Sequence, residues 1–196
     1  SIPLEETLEA LGELVKQGKV RQIGLSNETP WGTMKYLELA ETKSLPRVAS
    51  IQNAYNLVNR GFEIGLSEVA MHEQVGLLAY SPLAQGTLTG KYLGGQMPQG
   101  SRLALFGDGP LMMRYKGDKT QQAIEMYVNL AKKYEIDPAQ LAIQFCNIQP
   151  FVTSTIIGAT TMEQLKTCID SVDLNITKEI MNEIRGIHKE IPNPAP

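Results

Sequence analysis

Apolar residues alternate along this chain of 196 residues between short continuous runs and longer stretches with helical spacing. Short apolar runs bounded by polar or turn residues are typical of buried strands. Strands that are separated by helices pair in parallel through right-handed crossovers, so the pattern predicts an α/β fold with adjacent parallel strands in sequence order. Periodicity leaves two architectures open, half of an eight-stranded barrel or a small open sheet. The predicted strands are Val20–Leu25, Val48–Gln52, Val75–Tyr80 and Val152–Ile157.

The predicted helices have recognisable starts and stops. Thr29-Pro30 and Asp137-Pro138 each combine an N-cap residue with a proline suited to the first helical position. A third helix is marked by the apolar residues from Ile64 to Ala70 and ends by Gly76. Helical spacing also predicts helices around residues 4–15, 123–133, 161–171 and 177–188.

Residues 93–118 have a different composition, with six glycines, two prolines and no stable period. A loop of this length inside a compact domain is usually a lid, a binding loop or disordered. Met112, Met113 and Phe106 within it either line a substrate pocket or anchor the loop.

The stretch from Val75 to Tyr92 is the best candidate for a functional site. It begins as an apolar strand that we expect to be buried on both faces, and Pro82 ends that strand. The loop that follows contains Gly86, Gly90 and Lys91, so it can bring backbone amides, hydroxyls and one cation to a polar ligand. Parallel α/β folds place their sites at such strand ends. The residues alone leave open an ordinary strand followed by a surface loop.

Composition narrows the class of protein. The chain is 42% hydrophobic and 20% charged with a net charge of −3, which indicates a soluble globular protein without a nucleic-acid or membrane-surface partner. No apolar run approaches the roughly 20 residues of a membrane span, and the N-terminus does not resemble a signal peptide, so we expect a cytoplasmic location.

Cys146 and Cys168 lack metal-type spacing and are expected to be reduced packing residues. His72 and His188 are interpreted as surface or packing residues, and neither a dinucleotide fingerprint nor a P-loop occurs.

Four segments at or near the predicted strand ends together resemble the aldo-keto reductases, most closely the bacterial branch related to potassium-channel β subunits. They are GKVRQIGLSN (18–27), IQNAYNL (51–57), AYSPLAQGTLTGKY (79–92) and IGATTMEQL (157–165). The resemblance covers essentially all of 1–196 but only the second half of the family's barrel. It therefore implies a (β/α)8 TIM-barrel type of which strands 5–8 and their helices are present.

The resemblance implies NADP(H) as cofactor and hydride transfer between its nicotinamide and the carbonyl carbon of a small aldehyde or ketone. Ser26, Asn27 and Gln52 match the positions that hold the nicotinamide carboxamide, and together they offer both donors and acceptors. Tyr80 matches the aromatic residue that stacks on the nicotinamide ring. The alternatives are that Gln52 satisfies buried backbone groups and that Tyr80 belongs to the core.

The same resemblance assigns the phosphate end of the cofactor. Ser81, Leu83, Gly86 and Lys91 match the pyrophosphate loop, and Arg102 matches an arginine near the adenosine phosphate, although a solvated charge is the alternative for Arg102. A final clamp at a helix N-terminus, a natural anion site, is matched by Gly158, Thr160 and Gln164.

Two positions depart from the family pattern. Cys168 stands where an asparagine usually meets the adenine amine, and a thiol is a weak donor and acceptor. Thr160 stands where many relatives have arginine, so a preference for the 2′-phosphate depends more on Arg102.

The family's catalytic Asp, Tyr, Lys and His lie at the ends of the first four barrel strands, and no such set precedes Gly24 here. We therefore assign no catalytic residue and expect this chain alone to be inactive, with Tyr55 the nearest substitute acid. One reading is a truncated NADP(H)-dependent carbonyl reductase. The alternatives are a non-catalytic module for nucleotide binding or association, and a gene remnant without activity.

The half-barrel interpretation has a consequence for association. Unpaired strand edges beside apolar side chains such as Ile23 and Leu78 would favour self-association or pairing with a complementary N-terminal half. The competing expectation is that the loop 93–118 folds over the open face and gives a stable monomer.

Overall fold

A computed structural model describes residues 2–107 and 109–196 of the chain. These residues divide into two compact units, and each is described by itself. Unit 1 comprises the described residues of 1–53, 62–78 and 150–154. Unit 2 comprises those of 54–61, 79–149 and 155–196.

Four strands form one parallel sheet in the order β1-β2-β3-β4, as predicted. In the register of β1 and β2, Ile23 lies opposite Val48 and Ser26 lies opposite Gln52. Most of the sheet belongs to unit 1, and the last residues of β2, β3 and β4 lead into unit 2. The strands are β1 (Ile23–Ser26), β2 (Val48–Ala54), β3 (Gly76–Tyr80) and β4 (Val152–Thr155).

The outer strands are shorter than predicted. Strand β1 begins at Ile23 and not at Val20, because Lys19 and Val20 donate their backbone N–H groups to Leu14 and close the preceding helix. Strand β4 ends at Thr155 and not at Ile157, although the Ile156 N–H still donates to the Ala79 oxygen of β3 at 2.8 Å.

The prediction that β3 is buried on both faces was wrong. Leu77 and Ala79 are buried, whereas Leu78 and Tyr80, which alternate with them along the strand, are only half-buried. The expectation that Ile23 would be a bare apolar side chain was wrong too, since only 7% of it is exposed. Alternate positions of a strand point to opposite faces, so only one face of β3 is well covered.

Unit 1 also contains α1 (Leu4–Lys16), α2 (Pro30–Thr42) and α3 (Leu66–Glu73). Thr29 caps α2 as predicted, with its hydroxyl accepting from the Gly32 N–H at 3.0 Å. Helix α3 begins after Ile64 because Gly65 has a φ of 80°, which the helix cannot include. Gln74, at a φ of 54°, ends it before Gly76.

Unit 2 contains most of the helices, and three of them have side-chain caps at the predicted ends. Asp137 accepts from the Ala139 and Gln140 N–H groups at 2.7 and 3.2 Å, and Thr161 and Thr177 cap the last two helices. The helices are α4 (Arg102–Phe106), α5 (Pro110–Met113), α6 (Asp118–Lys133), α7 (Pro138–Asn147), α8 (Met162–Asp170) and α9 (Lys178–Glu190).

The core of unit 2 lies where α6 packs on α7 and α9, and α7 packs on α8. Tyr55 is fully buried there, with its ring stacked on Phe145 at a centroid distance of 5.8 Å. Its burial removes Tyr55 as the substitute acid. Cys146 and Cys168 are buried free thiols, as expected. In the described residues no helix is long and apolar enough to cross a membrane.

The segment predicted as a loop, 93–118, contains the short helices α4 and α5. Met112 is buried and anchors it, whereas Phe106 and Met113 are 70% and 55% exposed. Asp108 of this segment lies outside the described residues. The role of the segment as a lid or binding loop stays a prediction.

Candidate functional site

The loop after β3 turns through an unusual backbone conformation. Ala84, Gln85 and Gly86 follow one another with φ angles of 49°, 60° and 91°, and Ser81 has a φ of 56°. A residue other than glycine pays about 1–2 kcal/mol for this left-handed region. Within this turn the Ala84 and Gly86 N–H groups donate to the backbone oxygens of Ser81 and Leu83, at 2.9 and 2.8 Å. Strained backbone of this kind is common at functional sites, where the surrounding structure holds it in place.

Hydroxyl groups and one lysine complete this loop. Thr87 and Thr89 donate to the carbonyl oxygens of Ala84 and Gly86, each at 2.8 Å, and so fix the turn. A Cβ added to Gly86 would lie 3.0 Å from the Cε and Nζ atoms of Lys91. Glycine relieves the strain of this φ angle, and its missing side chain leaves the space into which Lys91 reaches.

A cavity of about 690 Å³ opens beside this loop, entirely within unit 2. Eight of the twelve predicted cofactor residues line it, although they come from three separate segments of the chain. They are Ser81, Leu83, Gly86, Lys91, Arg102, Gly158, Thr160 and Gln164. The structure thus brings together all the residues that were assigned to the phosphate end.

The cavity contains charges of both signs. Lys91 lies 5.1 Å from the centre of the Tyr92 ring, and Arg102 donates through Nη1 to the side-chain oxygen of Gln85. Within the described residues neither cation has a carboxylate partner. Two carboxylates, Asp137 and Glu163, also line the cavity, and the first of them is engaged with helix amides through Oδ1.

The start of α8 forms the opposite wall. Thr160 donates its N–H and its hydroxyl to the Gln164 side-chain oxygen, at 3.0 and 3.1 Å. No atom lies within 4 Å of a Cβ added to Gly158, so the backbone there is open. Burial, together with the nearby Asp137, raises the pKa of the Cys168 thiol, which keeps this cavity residue protonated at neutral pH.

Three of the remaining predicted residues are adjacent in unit 1. Ser26 and Gln52 are partners in the register of β1 and β2, and the Asn27 N–H donates to the Gln52 backbone oxygen at 3.0 Å. The Asn27 side chain donates to the Ser26 hydroxyl at 3.2 Å. Gln52 is exposed, which excludes its alternative role of satisfying buried backbone.

Tyr80 is half-buried at the end of β3, and its backbone oxygen accepts from the Tyr55 N–H at 3.3 Å. Tyr115, which the sequence did not suggest, is buried. Burial raises the pKa of Tyr115 despite the opposing effect of Arg114, so this hydroxyl is a poor acid.

Sequence reasoning missed Gln85, Asp137 and Glu163 as cavity residues. Asp137 was recognised as a helix cap, but nothing local indicated that it also faces a cavity. Gln85 contacts Arg102, which is 17 positions away, so no short-range spacing could have predicted its role. Among the described residues no group of His, Cys, Asp and Glu side chains could hold a metal ion.

Comparison with known proteins agrees with the resemblance noted in the sequence. The model of the aldo/keto reductase family matches residues 1–189. Protein tas of Escherichia coli K12 is 50% identical over 196 residues, which is 100% of this chain and 56% of that protein. An aldo-keto reductase of Babesia bovis is 40% identical over 201 residues, 99% of this chain and 70% of the relative.

A probable voltage-gated potassium channel β subunit of Oryza sativa is 30% identical over 193 residues, 97% of this chain and 59% of the relative. This match confirms the expected relation to the channel-subunit branch. The chain spans little more than half the length of the Escherichia coli and rice proteins. From the extent of the family match and these identities, the chain belongs to the aldo/keto reductase family.

Proposed function

We propose that this chain binds NADP(H) and contributes the cofactor-binding part of a reductase that acts on an aldehyde or ketone. The observation that carries the proposal is that Ser81, Lys91 and Arg102, from two segments of the chain, line one cavity of unit 2. When bound, the cofactor supplies or accepts the hydride. The residues described here bind and orient it.

The donors of the cavity suit the phosphates of NADP(H). A diphosphate carries about two negative charges, and a 2′-phosphate adds about −1.5 to −2. The Ser81 hydroxyl and Lys91 are assigned to the diphosphate, and Arg102 to the 2′-phosphate. A bidentate guanidinium suits a terminal phosphate better than a point charge does.

The nicotinamide end keeps the assignments that the resemblance gives. Ser26, Asn27 and Gln52 of unit 1 offer hydroxyl and amide groups that match both the donor and the acceptor of a carboxamide. Tyr80 is assigned to the ring face.

Calorimetric titration with NADP⁺ tests the binding proposal. Nicotinamide riboside, which lacks every phosphate, serves as the comparison ligand. We expect NADP⁺ to bind at least about 100-fold more tightly, because several charge-assisted hydrogen bonds are each worth about 1.5–3 kcal/mol. Equal affinities would contradict a phosphate site.

We also propose that the chain alone reduces carbonyls poorly, because it has no assigned general acid and Tyr55 is buried in the core. Loss of general acid catalysis alone typically lowers rates by about 10²- to 10⁴-fold. Purified chain is mixed with NADPH and a panel of aldehydes, and oxidation of the cofactor is followed by absorbance. Turnover equal to that of an intact relative would contradict the proposal.

The second candidate is an association module, and the edges of the sheet favour it. Among the described residues β1 and β4 pair with a strand on one side only, and such edges are templates for another strand. We expect sedimentation equilibrium to find dimers or larger species. A sharp monomer with cooperative unfolding would contradict association and favour cover by the segment 93–118.

A further inference from the structure

We infer that Gln85 is a positioning residue that directs both Ser81 and Arg102 towards a nucleotide and so sets the preference for a second phosphate. The inference rests on the proposed NADP(H) site and deepens it. Gln85 lies on the wall of the unit 2 cavity, in the middle of the left-handed turn.

The two side-chain bonds of Gln85 have fixed directions. Its Nε2 donates to the Ser81 hydroxyl oxygen at 3.0 Å, and its Oε1 accepts from Arg102 Nη1. A guanidinium can only donate, so the amide oxygen must face Arg102 and the amide nitrogen must face Ser81. The orientation of this amide therefore follows from chemistry.

This arrangement leaves both neighbours ready to donate elsewhere. Because Ser81 accepts from Gln85, its own proton is available to an anionic oxygen in the cavity. Because the partner of Arg102 is a neutral amide, the guanidinium keeps an uncompensated positive charge and its remaining N–H groups. A carboxylate at position 85 would accept from both neighbours and cancel the charge.

Gln85 combines a strained backbone conformation with an engaged side chain. At a φ of 60° and a ψ of 21° glycine would be the less strained residue. A side chain kept in a strained position, with both polar ends engaged beside a cavity, is expected where binding requires it.

The test uses the full chain and three substitutions, Gln85→Gly, Gln85→Glu and Arg102→Met. Gln96→Ala serves as the control, because Gln96 is exposed and does not line the cavity. Affinities for NADPH and NADH are measured by fluorescence, and melting temperatures are measured for every variant. The ratio of the two affinities reports the contribution of the second phosphate.

We expect Gln85→Gly to lower the NADPH-to-NADH preference about fivefold while the melting temperature stays equal or rises, because the strain is relieved. Gln85→Glu should lower NADPH affinity about 100-fold, because it withdraws two donors and one charge. If the melting temperature and the preference for NADPH over NADH change in opposite directions, a merely structural role is excluded.

Several results would overturn the inference. One such result is that both Gln85 variants keep a preference for NADPH over NADH within twofold of the wild type, while Arg102→Met abolishes that preference. If Arg102→Met leaves the preference intact, Arg102 does not meet the second phosphate, and the inference fails while the proposed function stands. If the wild-type chain binds neither nucleotide, the proposed function fails and this inference fails with it.

Discussion

The two groups of candidate cofactor residues are held in place by different means. In unit 1, Ser26 and Gln52 are partners across β1 and β2, so the backbone ladder of the sheet positions them. In unit 2, Ser81 and Arg102 are positioned by the side chain of Gln85 within a loop of left-handed residues. In the sheet, many backbone hydrogen bonds together fix the position of each residue, whereas in the loop the position depends on single side-chain contacts. Substitutions in the loop should therefore have the larger effects.

Among substitutions that remove one direct contact to the cofactor, the largest expected effect is at Lys91. Lys91→Met removes the cation beside the turn and should weaken NADPH and 2′,5′-ADP alike, each by about 10- to 100-fold, as expected for one charge-assisted bond. Lys119→Met is the control, because Lys119 is exposed and outside the cavity. Fluorescence titration measures both variants. If Lys119→Met weakens nucleotide binding as much as Lys91→Met does, the overall charge of the protein, and not this site, attracts the nucleotide.

A comparison of two glycines separates strain from crowding. Gly86 and Gly94 both have positive φ angles, 91° and 68°, but only at Gly86 would an added Cβ meet Lys91. Gly94→Ala should cost about 1–2 kcal/mol of unfolding free energy from strain, and Gly86→Ala should cost more and also weaken NADPH binding. Urea unfolding and NADPH titration measure the two effects. If the two variants lose the same unfolding free energy and the same NADPH affinity, Gly86 has no role in admitting Lys91.

In unit 1 the corresponding substitution is Gln52→Ala. The exposed amide should contribute one neutral hydrogen bond, so NADPH affinity should fall only about 3- to 10-fold. Affinity for 2′,5′-ADP, which has no nicotinamide, should be unchanged. Gln17→Ala, in an exposed position after α1, is the matched control. A loss of 2′,5′-ADP binding would show that Gln52 does not act on the nicotinamide end alone.

The smallest effect is expected at Cys168. Burial raises the pKa of this thiol above its ordinary value of 9.0, so alkylation by iodoacetamide should be slow at neutral pH and should accelerate only at clearly alkaline pH. Because Cys168 lines the cavity, NADP⁺ should slow its alkylation at least about twofold. Mass spectrometry separates it from Cys146, whose pKa is raised further by complete burial. Rapid alkylation at neutral pH would contradict the buried environment.

The regular parts of this fold could be predicted from sequence because their causes are local. Thr29 and Asp137 are caps whose partners lie two or three residues away, and the apolar runs mark strands that pair in order. The start of β1 was missed because the bonds from Lys19 and Val20 to Leu14 keep the first part of that apolar run in the turn that follows α1.

The loop after β3 could be predicted as a candidate site from its residues alone, whereas Arg102 and the residues at the start of α8 were assigned only through the family resemblance. The left-handed angles at Ala84 and Gln85 occur in residues that rarely adopt them, so composition gave no signal. The link from Gln85 to Arg102 crosses a segment without any period. Long-range contacts between irregular segments leave no spacing pattern to read, which is why Gln85 and Glu163 were missed.

Hydrogen exchange tests the central claim most directly, namely that the turn at Ala84–Gly86 and its neighbours hold the phosphates of the cofactor. Exchange of peptides that cover residues 81–91 is measured with and without saturating NADP⁺, and peptides from α6 serve as the internal reference. We expect slower exchange in 81–91 with NADP⁺, no change with nicotinamide riboside, and no change in α6 with either ligand. Exchange in 81–91 that stays the same with bound NADP⁺ would contradict it.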